Sequence, residues 1–236
     1  MIKLSTYKNI NHFFFDGYEI LNDKLNNVEL ISNLLDDINA TFLNSNGQKI
    51  IIPYFGNKDF LDDGISGIVL GKDFHFTCHT YSNMNTIFVD LYHGNNIDNF
   101  LVINILKKYF GVEKFDLCVN NKSAGNYGKH IIIKTDIIEY QDALILIDKI
   151  IESINMHPIH EKICSVYENG YDILRPIAES HISIHCHDNC IIDVFSCNTF
   201  DDKKIVGLLS NIYSISSVER GVLFDKNAKN CYNTPQ

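Results

Sequence analysis

The sequence predicts an α+β fold: two repeated antiparallel-sheet-plus-helices units packed sheet to sheet, an αββα sandwich that makes a pseudo-dimer in one chain. Three observations predict it. The chain repeats itself, because "GISGIVLGKDFHFTCH" (residues 64–79) aligns without a gap on "GYDILRPIAESHISIH" (residues 170–185). Each copy shows the same order of elements, with strands outnumbering helices. The links between strands are too short for crossover helices, so neighbouring strands run antiparallel and the helices gather on one face. Two such sheets can then bury their remaining faces against each other.

Within the aligned stretch Asp73 sits over Glu179, His75 over His181, Thr77 over Ser183 and His79 over His185. Further on, "FVDLY" (residues 88–92) answers "IIDVF" (residues 191–195), and upstream "NHFFFD" answers "KHIIIK". Each copy opens with a strand, at residues 12–16 and 130–135. A helix follows, "NVELISNLLDDI" (27–38) and "YQDALILIDKIIESI" (140–154), with apolar residues three and four apart. Short strands rich in Ile, Val, Phe and Tyr come next, broken by Gly, Asn and Asp. A second helix, "NFLVINILKKYF" (99–110) and "DDKKIVGLLSNI" (201–212), and a last strand close each copy. The polar, glycine-containing stretch 120–127 reads as a linker. It divides an N-terminal repeat (1–122), which lacks the serine discussed below, from a C-terminal repeat (123–236) that carries it.

A chain of 236 residues with 45% hydrophobic content can bury a sizeable core. The formal net charge of −9 argues against nucleic acid as a partner, since phosphate binding needs a basic face. No run is both long and apolar enough to span a bilayer, and the first residues lack a signal-peptide cleavage site, so no membrane partner and a cytoplasmic location are expected. Seven scattered cysteines without a CxxC pair read as reduced thiols.

The stretch "AESHISIHCHDNC" (residues 178–190) concentrates the chemistry. On a strand, alternate residues share a face, which places His181, Ser183, His185 and His187 on one side and Ile182, Ile184 and Cys186 on the other. Three histidines on one face suit a metal. The first copy keeps only His75 and His79, however, and "CHDNC" has no established ligand spacing, so no metal is expected. Pattern alone favours a strand whose polar residues line a cleft or solvent. Ser180 and His181 make no catalytic pair by adjacency, because neighbouring side chains on a strand point apart.

The string "ESHISIH" followed by "DVFSC", together with "NHFFFDGYEIL", "GISGIVL" and "FHFTCHT" in the first copy, resembles the prokaryotic S-adenosylmethionine decarboxylases. These are pyruvoyl enzymes. The resemblance covers nearly the whole chain, as a tandem fused duplicate. It implies that the chain breaks its own Glu179–Ser180 bond. The Ser180 hydroxyl would attack the preceding carbonyl and turn the amide into an ester. β-Elimination and loss of ammonia would leave a pyruvoyl group derived from Ser180, with two fragments, a β chain 1–179 and an α chain 180–236. The pyruvoyl ketone would take the substrate amine as a Schiff base and accept electrons as carbon dioxide leaves. By the same resemblance Cys197 protonates the α-carbon. Ser66 and His79 serve processing, and Phe60 stacks on adenine and faces the sulfonium. His185 is the matching histidine of the second copy.

The two copies differ in complementary ways. Ser180 and Cys197 are answered by Phe74 and Gly94, and Phe60 and Ser66 by Val166 and Asp172. One working pocket per chain is therefore implied. Alone, Phe60 reads as core, Ser66 as a turn residue, His79 as a strand histidine and Cys197 as a buried thiol. Their joint occurrence at family spacing singles them out.

Three features depart from the family pattern. Asn83 stands where a glutamate usually holds the ribose hydroxyls; it can bond a hydroxyl but lacks charge. Lys134 stands near a place often acidic. The second half bears the serine, whereas in fused eukaryotic relatives the first does. The implied function is decarboxylation of S-adenosylmethionine, the small-molecule partner, for spermidine synthesis. Whether the fused chain pairs further as a homodimer is left open. Two alternatives stand beside it: a pyruvoyl-dependent decarboxylase of ornithine or arginine, and a catalytically dead partner that activates another decarboxylase.

Overall fold

The computed structural model describes residues 12–54, 64–94, 98–119, 129–178, 180–196 and 199–222. They form two six-stranded sheets, one from each half of the sequence. The first holds β1 (His12–Tyr18), β2 (Gln48–Tyr54), β3 (Gly64–Gly71), β4 (Phe74–Tyr81), β5 (Thr86–His93) and β6 (Lys114–Val119), in the order β2-β3-β4-β5-β1-β6. The second holds β7 (Lys129–Thr135), β8 (Ile163–Tyr167), β9 (Gly170–Ile177), β10 (Ser180–Cys186), β11 (Cys190–Ser196) and β12 (Ile215–Val222), in the order β8-β9-β10-β11-β7-β12. Strand for strand the two orders are the same, and every pairing is antiparallel. The α+β sandwich of duplicated units is thus the observed architecture.

Among the described residues there are five α-helices, α1 (Asn22–Leu25), α2 (Val28–Leu43), α3 (Asn99–Phe110), α4 (Tyr140–Ile154) and α5 (Asp202–Ser210); α2 and α3 pack into the core of the first sheet, α4 and α5 into that of the second. Their ends follow from capping chemistry. The Asn27 side chain accepts the Leu30 N–H at 3.0 Å to start α2, and Asp98 and Asp201 do the same for α3 and α5. Asn44 and Asn155 end α2 and α4 in the left-handed conformation that asparagine tolerates, and Gly111 ends α3. Ile31, Leu34, Leu35 and Ile38 form the buried stripe of α2; Leu146, Ile147, Ile150 and Ile154 form that of α4.

Period-two alternation then sorts each strand. On β1, Phe13 and Phe15 pack under the first pair of long helices, whereas Phe14 turns the other way and meets Phe195 of the second sheet. On β10, Ile182 and Ile184 join the α4 core, whereas His181, Ser183 and His185 face the first sheet. Ile68, Leu70, Ile163 and Leu174 give the layer between the sheets a second apolar patch. Much of the rest of that layer is polar, and it contains the candidate site. Among the described residues no helix is long and apolar enough to cross a membrane.

The reading of the cysteines as reduced thiols is overturned for two of them. Cys186 and Cys190 form a disulfide rather than remaining thiols. The reason is the hairpin: β10 turns into β11 through three residues and sets the two cysteines directly opposite, with Cα atoms 4.1 Å apart. Cys78 and Cys164 are free. Denatured protein should therefore expose two more reactive thiols after reduction than before. In the chain-entropy account this short closed loop contributes about 2 kcal/mol, so Cys186→Ala with Cys190→Ala should lower the urea midpoint accordingly. An equal thiol count before and after reduction would exclude the bond.

Candidate functional site

Ser66 on β3 and His79 on β4 are register partners, and both face the second sheet. Ser66 Oγ lies 2.8 Å from His79 Nδ1, and His79 Nε2 lies 3.2 Å from Ser180 Oγ at the start of β10. A hydrogen-bonded chain, Ser66–His79–Ser180, thus crosses the gap between the sheets. All three residues are buried. Burial, with His181 nearby adding to it, pushes the His79 imidazole down to about 3. His79 is therefore neutral at ordinary pH. The tautomer with its proton on Nδ1 donates to Ser66 and leaves Nε2 to accept the Ser180 hydroxyl proton.

Ser180 Oγ also lies 3.2 Å from His181 Nδ1, which corrects the expectation that these neighbours point apart. The cause is the backbone. Ser180 has φ of 152°, a region essentially reserved for glycine, at a cost of about 1–3 kcal/mol. The twist breaks the strand's alternation at its first residue and turns the hydroxyl toward the next ring. The strain falls on the residue whose preceding peptide bond is the proposed cleavage point.

His181 links this relay to the buried polar layer, since its Nε2 is 3.3 Å from Asp90 Oδ2. Asp90 Oδ1 is hydrogen-bonded to His12 Nε2 at 2.6 Å, and His130 is hydrogen-bonded to Asp193. Burial alone would raise both carboxyls. The surrounding histidines outweigh it: His12, His181 and His75 hold Asp90 well below the usual carboxylate range, and His130 and His12 bring Asp193 to about 2.

The structure brings together Ser66, His79 and Ser180 but leaves His185 apart. His185 is five residues along β10, roughly 17 Å at the usual strand rise. There its Nδ1 binds Asp172 Oδ1 at 2.7 Å and its Nε2 binds His75 Nδ1 at 2.8 Å. Asp172 and His185 are the counterparts of Ser66 and His79 in the other half. Asn83 is exposed in the turn Ser82–Met84 that follows β4. Phe60, Glu179 and Cys197 lie outside the described residues. Asp90, Asp193, His12 and His130 are not singled out as site residues by the sequence, and His181 enters there only among three histidines on one strand face. Their signal is the recurrence of the same polar residue in both copies, His75 with His181 and Asp90 with Asp193, at strand positions flanked by apolar ones.

The His79 shift sets a sign for acid stability. Between pH 6.5 and about 3 the unfolded chain binds a proton at this residue that the folded chain excludes, so stability falls as pH drops below 6.5. By pH 5 the loss from His79 reaches about 2 kcal/mol. Urea midpoints between pH 8 and pH 5, measured in an uncleavable Ser180→Ala background, should fall less steeply after His79→Gln. Parallel curves would contradict the buried neutral state.

Two segments of the chain, residues 11–122 and 133–223, match the S-adenosylmethionine decarboxylase family. A solved structure described as the adenosylmethionine decarboxylase from Aquifex aeolicus VF5 is similar at 23% identity, over 48% of this chain and 90% of that chain, with a TM-score of 0.36.

Proposed function

The chain belongs to the S-adenosylmethionine decarboxylase family, and from that premise we propose that it is a self-processing, pyruvoyl-dependent decarboxylase of S-adenosylmethionine that supplies the aminopropyl donor for spermidine synthesis. The observation that carries this reading is the Ser66–His79–Ser180 chain, closed on a strained serine. These residues fit the formation of a pyruvoyl group.

The Ser180 hydroxyl gives its proton to neutral His79 as Oγ attacks the Glu179 carbonyl carbon. The amide C–N bond breaks, the Ser180 nitrogen leaves as an amine, and an ester remains. Opening that bond releases the constraint that holds φ at its unfavourable value. The Ser180 Cα then loses its proton and the Glu179 carboxylate departs from Cβ, which leaves an enamine. Its Cβ takes up a proton to become a methyl group as the C–N bond becomes an imine. Water hydrolyses the resulting imine, ammonia leaves, and the keto group remains. Ser66 holds the His79 ring through Nδ1, and His181 offers a second nitrogen at the same oxygen. The pyruvoyl carbonyl supplies the electron sink for loss of carbon dioxide. Cys197 takes the proton-donor role and Phe60 the adenine platform that the family resemblance assigns.

Cleavage at 179–180 leaves β7, β8 and β9 in the β chain and β10, β11 and β12 in the α chain. The sheet order interleaves them, because β7 lies between β11 and β12. The fragments therefore stay together through paired strands on both sides of β7 and between β9 and β10.

A second substrate reading rests on one row of the first sheet. Ser66, His79, Phe88, Asp16 and Asp116 are successive register partners. Burial, and then the Asp116 charge, raise Asp16 to about 7. With Asn83 in place of the expected glutamate, this acidic pair favours a basic amino acid such as ornithine or arginine. Carbon dioxide release from carboxyl-labelled substrates in direct competition separates the two. S-adenosylmethionine should be consumed in preference, and exclusive turnover of the amino acid would overturn the assignment. Ser180→Ala should stay uncleaved and inactive. His79→Gln should slow cleavage about a hundredfold or more, and wild-type cleavage in that variant would remove His79 from the mechanism. Cys197→Ala should cleave but turn over poorly.

A further inference from the structure

The layer between the sheets contains a second group of side chains that the processing relay does not use. His12 on β1, His75 on β4, Asp90 on β5 and Asp193 on β11 each present one nitrogen or oxygen, and these atoms lie within 4.8 Å of one another. His12 Nε2 is 2.6 Å from Asp90 Oδ1 and 3.2 Å from Asp193 Oδ2. His75 Nε2 is 3.8 Å and 3.7 Å from the same two oxygens. Ligands held tetrahedrally at zinc distances stand about 3.3 Å apart, in the middle of that range.

The protein's own hydrogen bonds leave this group incomplete. Asp172 Oδ1 takes the Nδ1–H of His185, at 2.7 Å. His185 Nε2 is then an acceptor, and it takes the Nδ1–H of His75 at 2.8 Å. His75 Nε2 is left with a bare lone pair directed at two carboxylates, too far for a hydrogen bond to either. Neither this nitrogen nor Asp193 Oδ2 has a hydrogen-bond partner, and both side chains have zero exposure. If His75 carried its proton on Nε2 instead, that buried donor would have no acceptor. Either arrangement is costly in a dry layer. A cation between the four groups removes the cost, and it displaces to solvent the proton that His12 Nε2 shares with Asp90 Oδ1. The ion-pair partners of Asp90 and Asp193 among the described residues are histidines alone, so a divalent ion would balance the two carboxylates with neutral imidazoles.

We propose that His12, His75, Asp90 and Asp193 bind one zinc ion that ties the two sheets together. Two imidazole nitrogens and two carboxylates suit zinc rather than magnesium, which takes oxygen ligands. The surrounding bonds match what metal ligands need: His185, held by Asp172, orients His75, and His130 holds Asp193 by its other oxygen. None of the histidines of residues 178–190 is a ligand. Full enclosure means that the ion enters as the sheets close during folding. Three ligands come from the first half and one from the second. On the self-cleavage reading of the previous section, the ion also bridges the β chain and the α chain.

The test is the metal content of the full chain, produced in zinc-supplemented cells, purified without a histidine tag and washed with chelator. One zinc per chain is expected in the wild type, in uncleavable Ser180→Ala and in the surface control His160→Ala. His75→Gln and Asp193→Asn should lose it. His185→Gln should weaken zinc binding about 10–100-fold against a chromophoric chelator. Because ligand variants can fail to fold, wild-type protein loaded with cobalt provides a second readout, an absorption spectrum of tetrahedral nitrogen–oxygen coordination. Folded wild-type protein without stoichiometric metal, an octahedral cobalt spectrum, or zinc retained by both ligand variants would overturn the site. Zinc in a chain that never cleaves would uphold this site and refute the processing reading, and cleavage without zinc would do the reverse.

Discussion

The structure depends on two carboxylates, Asp90 and Asp193, buried between two sheets where nothing but histidine answers them among the described residues. A sheet sandwich is usually sealed by apolar side chains. Here, among the described residues, the apolar clusters of that layer are Phe14 with Phe195 and the patch around Ile68 and Leu174. Burying a charge without a partner is prohibitive. Each aspartate therefore gathers the rings around it; Asp90 meets His181, whose Nδ1 reaches Ser180 Oγ, and Ser180 in turn meets His79. Most of the clustered buried apolar side chains lie in the two helix-covered cores.

Duplication sets two differently built histidine pairs in one layer. Ser66 with His79 and Asp172 with His185 occupy equivalent places, and each histidine reaches across to the other sheet. A hydroxyl partner leaves His79 free to act on either side, and it meets Ser180. A carboxylate partner commits the proton of His185 to Nδ1, and it meets another imidazole. A single exchange of serine for aspartate thus separates a ring suited to moving a proton from one suited to holding its neighbour still.

Much of this was legible in the sequence. The helices at 99–110 and 140–154 coincide with their apolar spacing because neither is interrupted. The duplicated sheets followed from the repeat. The relay was legible only through family resemblance, because His79 and Ser180 are 101 residues apart. The Ser180–His181 contact was hidden because alternation assumes regular strand dihedrals, and Ser180 breaks them. The disulfide was hidden because a CxxxC spacing does not reveal that its middle three residues form a hairpin turn. The buried aspartates were visible as repeated residues, yet alternation does not tell whether a strand's second face meets water or another sheet.

The central claim is that this chain converts Ser180 into a pyruvoyl group, and the intact mass of the purified protein under denaturing conditions tests it most directly. The account predicts two chains, one ending at Glu179 and one spanning residues 180–236 whose mass is one ammonia below that of a serine start. A single full-length mass, or a smaller chain beginning with an unmodified serine, would contradict it.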